Sequence, residues 1–474
     1  GSGRFARETA RVLAANGVTA YLYPRLEPTP ALSWAVRYYG CGAGVCVTAS
    51  HNPAAYNGYK VYGPDGCQIT LEAADAVSKH IGAADHFDGV RLCGFADALA
   101  DGTIRMIGED CLEAFLDAVE RRSVWDGDRS ALRVVYTPLN GTGRECVTKI
   151  LRRIGVTDVT LVPEQAWPDG SFPTCPYPNP EEQAALERGL ALARKTRADL
   201  LLGTDPDCDR VGVMAKNAKG QFETISGNCM GCLLLDYILS AHSENGTMPP
   251  DPYAVKTIVS TDLAEEICRC FGVKLYEVLT GFKYIGQVIK RHEDSGKGSF
   301  ILGFEESYGY LKGTYARDKD AVVASMLITE MAAYYKEKDM TLIDARTAMY
   351  EKYGYFAEKT ENFQIAGLDA LEKMQNIMKN IRESHPKELG GMRVVRIGDY
   401  LTGIAEDPRS ERIEPTGLPS SNVLSFTTDA GCKVLVRPSG TEPKIKIYLL
   451  CRGTDAAEAN ARLAACAETV RSWI

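Results

Sequence analysis

Three aspartates alternate at 205, 207 and 209 in the segment Gly-Thr-Asp-Pro-Asp-Cys-Asp-Arg, residues 203–210. In an extended segment alternate side chains share one face, so the spacing predicts three carboxylates pointing to one side. Hard oxygen donors in that number suit Mg²⁺, which takes few protein ligands and completes its shell with phosphate oxygens. Asp-x-Asp-x-Asp also opens a calcium loop. Such a loop needs Gly at its sixth position and Glu at its twelfth, and here those are Arg210 and Lys216, which disfavours calcium. The run Ala198–Leu202 reads as a buried strand leading straight into the aspartates, and open α/β sheets bind ligands at such strand ends. Arg210 adds a cation beside them. The plainer reading, a solvated acidic turn, explains neither the strand nor the arginine.

Three further loops carry chemistry of the same kind. Val45-Cys46-Val47 reads as a short buried strand of a parallel sheet, broken by Ser50-His51-Asn52-Pro53. A serine in a turn ordinarily caps or hydrogen-bonds, and it is a weak nucleophile without a base or a metal. No Ser-His-Asp order and no Gly-x-Ser-x-Gly elbow is present. His51 adjoins Ser50 in sequence, so its ring is expected to point elsewhere. A metal neutralising a phosphorylated Ser50 fits better. Lys60 follows the turn Asn57-Gly58, which folds it back over Ser50 as a candidate acid/base. In Gly-Phe-Glu-Glu-Ser-Tyr-Gly-Tyr (303–310), Glu305 and Ser307 can accept from and donate to sugar hydroxyls. Thr280-Gly281-Phe282-Lys283 has the form of a substrate loop at a helix start, where amides favour anions. Arg437-Pro-Ser-Gly-Thr is a compact anion site. Its arginine can grip phosphate with two bonds, and Ser439, Thr441 and the amides around Gly440 add donors. A tight hairpin turn would need the glycine but not the Arg-Ser-Thr set. Together the loops imply that Ser50 carries a phosphoryl group between two oxygens of a sugar.

The elements that must hold these loops repeat. Residues 3–16 read as a helix, Val18–Tyr23 as a strand, Thr29–Tyr39 as a helix and Ala43–Thr48 as the strand delivering Ser50. A second block runs strand 133–136, helix 142–154, strand 158–162, helix 181–195, strand 198–202. A third runs strand 253–258, helix 262–271, strand 273–278, helix 283–292, strand 299–302. Alternation of this kind implies parallel sheets with right-handed crossovers. The first block lacks its opening strand, so the natural chain is expected to begin upstream of Gly1. Residues 318–337 read as a long amphipathic helix, with another at 341–352 and one at 368–382. Residues 384–420 read as a linker rich in Pro, Gly and charge. Strands at 432–437 and 444–451 and a helix at 455–473 end the chain. The expected fold class is therefore α/β: three similar βαβαβ domains with mostly parallel sheets (1–125, 126–247 and 248–366), then an α+β domain (367–474).

Composition narrows the field. A chain of 474 residues is long enough for three or four domains. A net charge of −8 without a basic block argues against nucleic-acid partners and anionic membrane surfaces. No stretch reaches the roughly 18–20 apolar residues of a membrane span, and no signal peptide is expected. Fifteen cysteines are scattered without a disulfide framework or a zinc pattern, and the pair Cys229 and Cys232 lacks partners at metal spacing. Reduced buried thiols in a cytoplasmic enzyme are the expectation.

At these loops the sequence resembles the α-D-phosphohexomutase superfamily, the phosphoglucomutases and phosphomannomutases. Thr48-Ala-Ser-His-Asn-Pro is similar to its phosphoserine signature, and Asp205-x-Asp-x-Asp-Arg210 to its metal loop. Glu305-x-Ser307 is similar to its sugar-binding loop and Arg437-Pro-Ser-Gly-Thr441 to its phosphate-binding loop. The four occur in family order over essentially the whole chain. Gly58-Tyr-Lys-Val-Tyr62, Thr137-Pro-Leu-Asn-Gly-Thr-Gly143 and Thr280-Gly-Phe-Lys283 look closest to the glucomutase and pentomutase branch. Two departures stand out. The family's opening Gly-Thr-x-Gly-x-Arg segment is not in this sequence, and the histidine that mannomutases often carry two residues after the sugar-loop serine is Gly309.

The resemblance implies four domains around a central cleft and one Mg²⁺ per chain, held by phospho-Ser50, Asp205, Asp207 and Asp209. It also implies a substrate phosphate docked on Arg437, Ser439, Gly440 and Thr441, with charge steadied by Arg210. A sugar 1-phosphate and 6-phosphate, those of glucose foremost, would interconvert through glucose 1,6-bisphosphate, which also serves as activator. Ribose or mannose phosphates are the alternatives within the superfamily. A metal-dependent sugar phosphatase or a non-catalytic sugar-phosphate sensor is the alternative outside it. A monomer or weak dimer acting on a small molecule is expected.

Overall fold

The computed structural model describes residues 1–367, 369–410, 412–439 and 443–474. The chain divides into two compact units. One comprises residues 1–256, 272–276 and 281–345, the other 257–271, 277–280 and 346–474.

In the first unit the segment that supplies Ser50 departs from expectation. The strand Gly44–Val47 pairs antiparallel with Tyr59–Tyr62, Cys46 lying opposite Lys60. The parallel pairing of this region is instead between Ala20–Leu22 and Ile104–Met106. Among the described residues these are two separate two-stranded sheets. The strand before Ser50 is only half-buried beyond Gly44, so its apolar run reflects a hairpin packed on the helices Ser2–Ala15 and Thr29–Tyr38, not a central strand of a parallel sheet.

The second block folds as its periodicity predicts. Strands Arg133–Thr137, Asp158–Leu161 and Leu200–Thr204 pair in parallel, with helices Gly143–Arg153 and Gln183–Thr196 between them in sequence. The sheet then continues antiparallel through Val211–Lys216 and Phe222–Ile225, two strands the sequence reading did not anticipate. In the third block Pro252–Thr257 and Ser299–Phe304 pair in parallel, and Tyr310–Leu311 returns antiparallel. Both blocks thus end in a loop after a buried parallel strand followed by an antiparallel return. That reversal turns the loop's side chains back over the strand ends.

The helix Ala321–Glu337 is not amphipathic. It is buried continuously from Ala321 to Tyr334, because it touches helices Glu109–Glu120, Gly143–Arg153 and Gly227–Glu244 together with the strand Tyr310–Leu311. A helix enclosed on all sides carries apolar and small residues all round.

The second unit holds an antiparallel sheet. The ten-residue strands Tyr355–Gln364 and Lys444–Gly453 pair along their whole length. Helices Ala370–Ser384 and Ala456–Arg471 contribute Met374, Met378, Ile381, Cys466, Ala467 and Val470 to its core. The stretch 384–420 is not a linker. It contains the strands Met392–Asp399, Ile404–Asp407 and Arg412–Pro415 of the same sheet. Its Pro, Gly and charge belong to short turns and an exposed edge, which blunts further pairing.

Candidate active site

The aspartate loop is a tight turn, not the extended segment its alternation suggested. Cys208 adopts a left-handed conformation at φ 54°, and its amide donates to the Asp205 carbonyl at 2.9 Å. The Asp205 carboxylate folds inward and accepts from the amides of Asp209 and Arg210 at 3.1 and 3.0 Å. The starts of three helices hold the loop from outside. Thr29 donates to the Asp207 carbonyl at 2.9 Å, Thr142 to that of Pro206 at 2.8 Å and Ala321 to that of Cys208 at 3.3 Å. These amides have no partner within their own helices, so fixing the loop also satisfies them. The motif Thr137–Gly143 finds its reason here. A Cβ on Gly141 would lie 2.4 Å from the Pro206 Cα and 2.5 Å from its carbonyl oxygen.

The turn brings all three aspartates together by a different route. They are buried, with carboxylate oxygens within 4.8 Å of one another. Ser50 reaches this cluster, its Oγ donating to Asp205 Oδ2 at 2.8 Å. Ser50 is itself left-handed at φ 54°. This strained state for a residue with a Cβ is braced by its amide donating to Thr48 Oγ1 at 2.8 Å. His51 does not point elsewhere. Its Nδ1 lies 3.2 Å from Ser50 Oγ, because the left-handed turn brings both side chains to one side.

Two lysines face the carboxylates. Lys60 Nζ is 3.1 Å from Asp207 Oδ2 and 3.6 Å from Asp209 Oδ2, so it folds back over the aspartates. Lys319 Nζ is 3.2 Å from Asp209 Oδ2 and 3.5 Å from Asp318 Oδ1. Lys319 was not anticipated. Its signal in the sequence is Arg317-Asp-Lys-Asp320, four charged residues heading an apolar helix. Such a run ordinarily faces solvent, yet all four are buried. Asp320 caps the helix, accepting from Val322 and Val323 at 2.7 and 3.1 Å, and Asp318 accepts from Tyr62 at 2.7 Å.

Burial and the charges of Asp207 and Asp209 drive the Asp205 pKa well above the usual carboxylate range. Asp207 feels the same burial, yet the Lys60 ammonium holds its carboxyl below that range. Burial pulls on Lys60 as well, but Asp207 and Asp209 outweigh it and keep its proton on. A divalent ion fits this donor set. Among the described residues Asp207 Oδ1 and both Asp209 carboxylate oxygens are buried without a formed hydrogen bond, Asp209 being met only through ion pairs, and hard oxygens at this separation suit Mg²⁺.

The sugar-type loop is joined to the aspartate loop through backbone. The Val211 amide donates to the Tyr308 carbonyl at 3.1 Å, and Arg210 bridges Gly309. Glu305 is buried, and its Oε1 forms no hydrogen bond among the described residues. Burial pushes its pKa to about 7 against the opposing charge of Lys319. Ser307 Oγ donates to Glu306 Oε1 at 3.2 Å. Arg210 Nη1 pairs with Glu181 at 3.1 Å. A Cβ on Gly309 would meet the Lys319 Cδ at 2.1 Å, so the lysine stem occupies the space a side chain would take.

The remaining loops are built as follows. Gly281, at φ +119°, caps the helix Phe282–Ser295, and burial lowers the Lys283 pKa. In the second unit Thr280 Oγ1 is buried without a hydrogen-bond partner among the described residues. There Arg437 lies opposite Lys446 in the final hairpin, which closes with the Ser439 amide donating to the Lys444 carbonyl at 2.8 Å. Gly440 and Thr441 lie outside the described residues.

Comparison with known proteins gives the chain's family. Models of phosphoglucomutase/phosphomannomutase α/β/α domains I, II and III match residues 1–87, 113–220 and 226–353. A phosphoglucomutase of Staphylococcus saprophyticus is 34% identical over 447 residues, covering 94% of this chain and 80% of its own length. One of Staphylococcus epidermidis is 37% identical over 451 residues, with the same coverage. The solved open form of the Paramecium phosphoglucomutase parafusin superposes with a TM-score of 0.68 at 17% identity, covering 99% of this chain and 84% of that one. With this identity sustained over four-fifths of the relatives' length, the chain belongs to the phosphoglucomutase/phosphomannomutase family.

Proposed function

We propose that the protein interconverts the 1-phosphate and 6-phosphate of a hexose, glucose foremost, through a phosphoryl group carried on Ser50 and a hexose 1,6-bisphosphate. The observation that carries this reading is the 2.8 Å contact of Ser50 Oγ with Asp205 inside a buried triad of aspartates. Asp205, Asp207 and Asp209 would hold Mg²⁺, which when bound neutralises phosphate charge at Ser50. The substrate's free hydroxyl oxygen bonds to the phosphorus of phospho-Ser50 as the P–Oγ bond breaks. The hydroxyl proton is delivered in the end to Ser50 Oγ. His51, 3.2 Å from that oxygen, is placed to pass it on, while Lys60 and Lys319, both charged, stabilise the transferring group. After the bisphosphate turns end for end, Ser50 Oγ attacks its other phosphate and the proton path runs in reverse. Catalysis is then positioning and charge stabilisation of an in-line transfer.

Glu305 and Ser307 are assigned to ring hydroxyls shared by both orientations, Thr280, Gly281 and Lys283 to substrate docking, and Arg437, Ser439, Gly440 and Thr441 to the non-reacting phosphate. Gly309 in place of a histidine favours glucose over mannose. We assign four domains, at 1–125, 126–247, 248–366 and 367–474, and a cytoplasmic location, which fifteen cysteines without a disulfide framework in the sequence support. Among the described residues no helix is long and apolar enough to cross a membrane.

The test is Ser50→Ala, assayed on glucose 1-phosphate with glucose 1,6-bisphosphate supplied. Turnover should vanish, together with the one-phosphoryl mass gain of the wild-type chain. Wild-type turnover in the variant would remove Ser50 from its role.

A further inference from the structure

Three thiol sulfurs from three separate segments converge inside the second unit, and a thioether sulfur adjoins one of them. Cys432 immediately precedes the strand Lys433–Pro438, Cys451 lies in Lys444–Gly453, Cys466 in the helix Ala456–Arg471, and Met392 opens the strand Met392–Asp399. The three Sγ atoms lie within 4.8 Å of one another. Cys451 Sγ is 3.9 Å from Cys466 Sγ, and Cys432 Sγ is 3.6 Å from Met392 Sδ. All three thiols are buried, while Met392 is half-buried at the surface end of the cluster.

We propose that this cluster is a binding site for a soft, thiophilic d¹⁰ metal ion, with Cu(I) the best match. Metal–sulfur bonds of about 2.3 Å place neighbouring sulfurs about 3.8–4.0 Å apart in tetrahedral or trigonal geometry. The 3.9 Å between Cys451 and Cys466 already matches that spacing, and the three thiol sulfurs, within 4.8 Å of one another, need draw together by only about 1 Å. Soft thiolate donors suit Cu(I) and Zn²⁺ alike, and a thioether beside them, absent from zinc's usual thiolate, imidazole and carboxylate ligands, favours Cu(I). The half-buried thioether gives an ion a way in, and the buried thiols exclude water once it has arrived. Uptake replaces the thiol protons, releasing up to three protons per ion with no change of oxidation state. The Arg462 guanidinium, paired with Glu458 at 2.6 Å, donates to the carbonyls of Ala430 and Arg452 at 3.3 and 2.7 Å and so ties down the backbone next to Cys432 and Cys451. Packing alone asks only for small apolar groups here. It gives no reason for a strand start, a second strand, a helix and a thioether to present sulfur to one point. Spacing in the sequence hides the site, because no two of the four residues share a metal-binding motif.

The experiment uses the whole reduced chain under argon, loaded with Cu(I) in the presence of the competing chelator bathocuproine disulfonate. The wild-type chain should retain one more Cu(I) than each of Cys432→Ala, Cys451→Ala and Cys466→Ala. Met392→Leu should keep the ion with about tenfold weaker affinity. X-ray absorption on the loaded wild-type chain should show a shell of sulfur alone, which tests the site even where a variant fails to fold. Equal retention by wild type and alanine variants, a shell containing nitrogen or oxygen, or a Cys451–Cys466 disulfide in place of uptake would each overturn the proposal.

Discussion

Replacing Lys60 with methionine separates a lysine that opposes a cation from one that merely fills space. Its ammonium stands 3.1 Å from Asp207 and 3.6 Å from Asp209. An ion bound to these carboxylates at about 2.1 Å would come within roughly 5 Å of that ammonium. A single and a double positive charge at about 5 Å repel by about 1.7 kcal/mol in water and by about 6–7 kcal/mol at an effective dielectric of 20. The lysine can swing back as the ion enters, so the lower figure is the safer one. It corresponds to about a tenfold change in affinity. Lys60→Met should therefore bind Mg²⁺ at least tenfold more tightly in calorimetric titration, while kcat on glucose 1-phosphate falls by about two orders of magnitude. The two effects run in opposite directions, which general damage to the site cannot produce. Removing a charge from a buried pair also costs stability, so circular dichroism must show the variant folded at the assay temperature. Weaker or unchanged Mg²⁺ affinity in a folded variant would refute the reasoning.

Gly309→Ala places a methyl where the Lys319 stem runs. Because only a flexible side chain must move, the fold should survive while kcat drops at least tenfold, read by steady-state turnover beside a thermal melt. Gly141→Ala meets the backbone of Pro206 instead, so the aspartate loop itself must shift. It should cost about 1–3 kcal/mol of stability and about a hundredfold in turnover, with Mg²⁺ affinity reduced in calorimetry. Glu305 has its pKa raised to about 7 by burial. It contributes stability that is complete below the exposed-glutamate value and lost as pH rises through about 7, a loss of about 3 kcal/mol at most. Thermal melts from pH 5 to pH 8 should therefore show wild type losing ground to Glu305→Gln, and parallel curves would count against the burial argument.

The Asp205 and Glu305 loops stand out in the sequence because each follows a largely buried strand and breaks it with residues a solvated turn does not need. Leu200–Leu202 before Asp205 and Phe300–Leu302 before Glu305 both show this pattern. How the loops are built was not legible. Alternation at 205, 207 and 209 suggested an extended segment, but the carboxylates converge because Cys208 turns left-handed and Asp205 folds onto its own loop's amides. Local spacing could not reveal this, since the turn is held by Thr29, Thr142 and Ala321 from distant segments. The strand before Ser50 misled for a related reason. Val45–Val47 has the apolar run of a parallel strand, yet its partner is the nearby Tyr59–Tyr62, and periodicity does not say which partner a strand takes. The same limit turned the antiparallel strands after residue 384 into an expected linker.

The burial of Arg317-Asp-Lys-Asp320 bears on why the site carries so many charges. The buried Asp205, Asp207, Asp209 and Asp318 face the buried Lys319 and the half-buried Lys60 and Arg210, and Glu181 shares the arginine, which leaves an excess of negative charge at the site. An unmatched buried charge is costly, and the raised pKa of Asp205 is one way the cluster relieves it. A divalent cation would offset that excess, and a phosphoryl dianion on Ser50 would restore it. Lys60 and Lys319 therefore belong to the same reasoning as the aspartates, although only the aspartates and Lys60 stand out in the sequence.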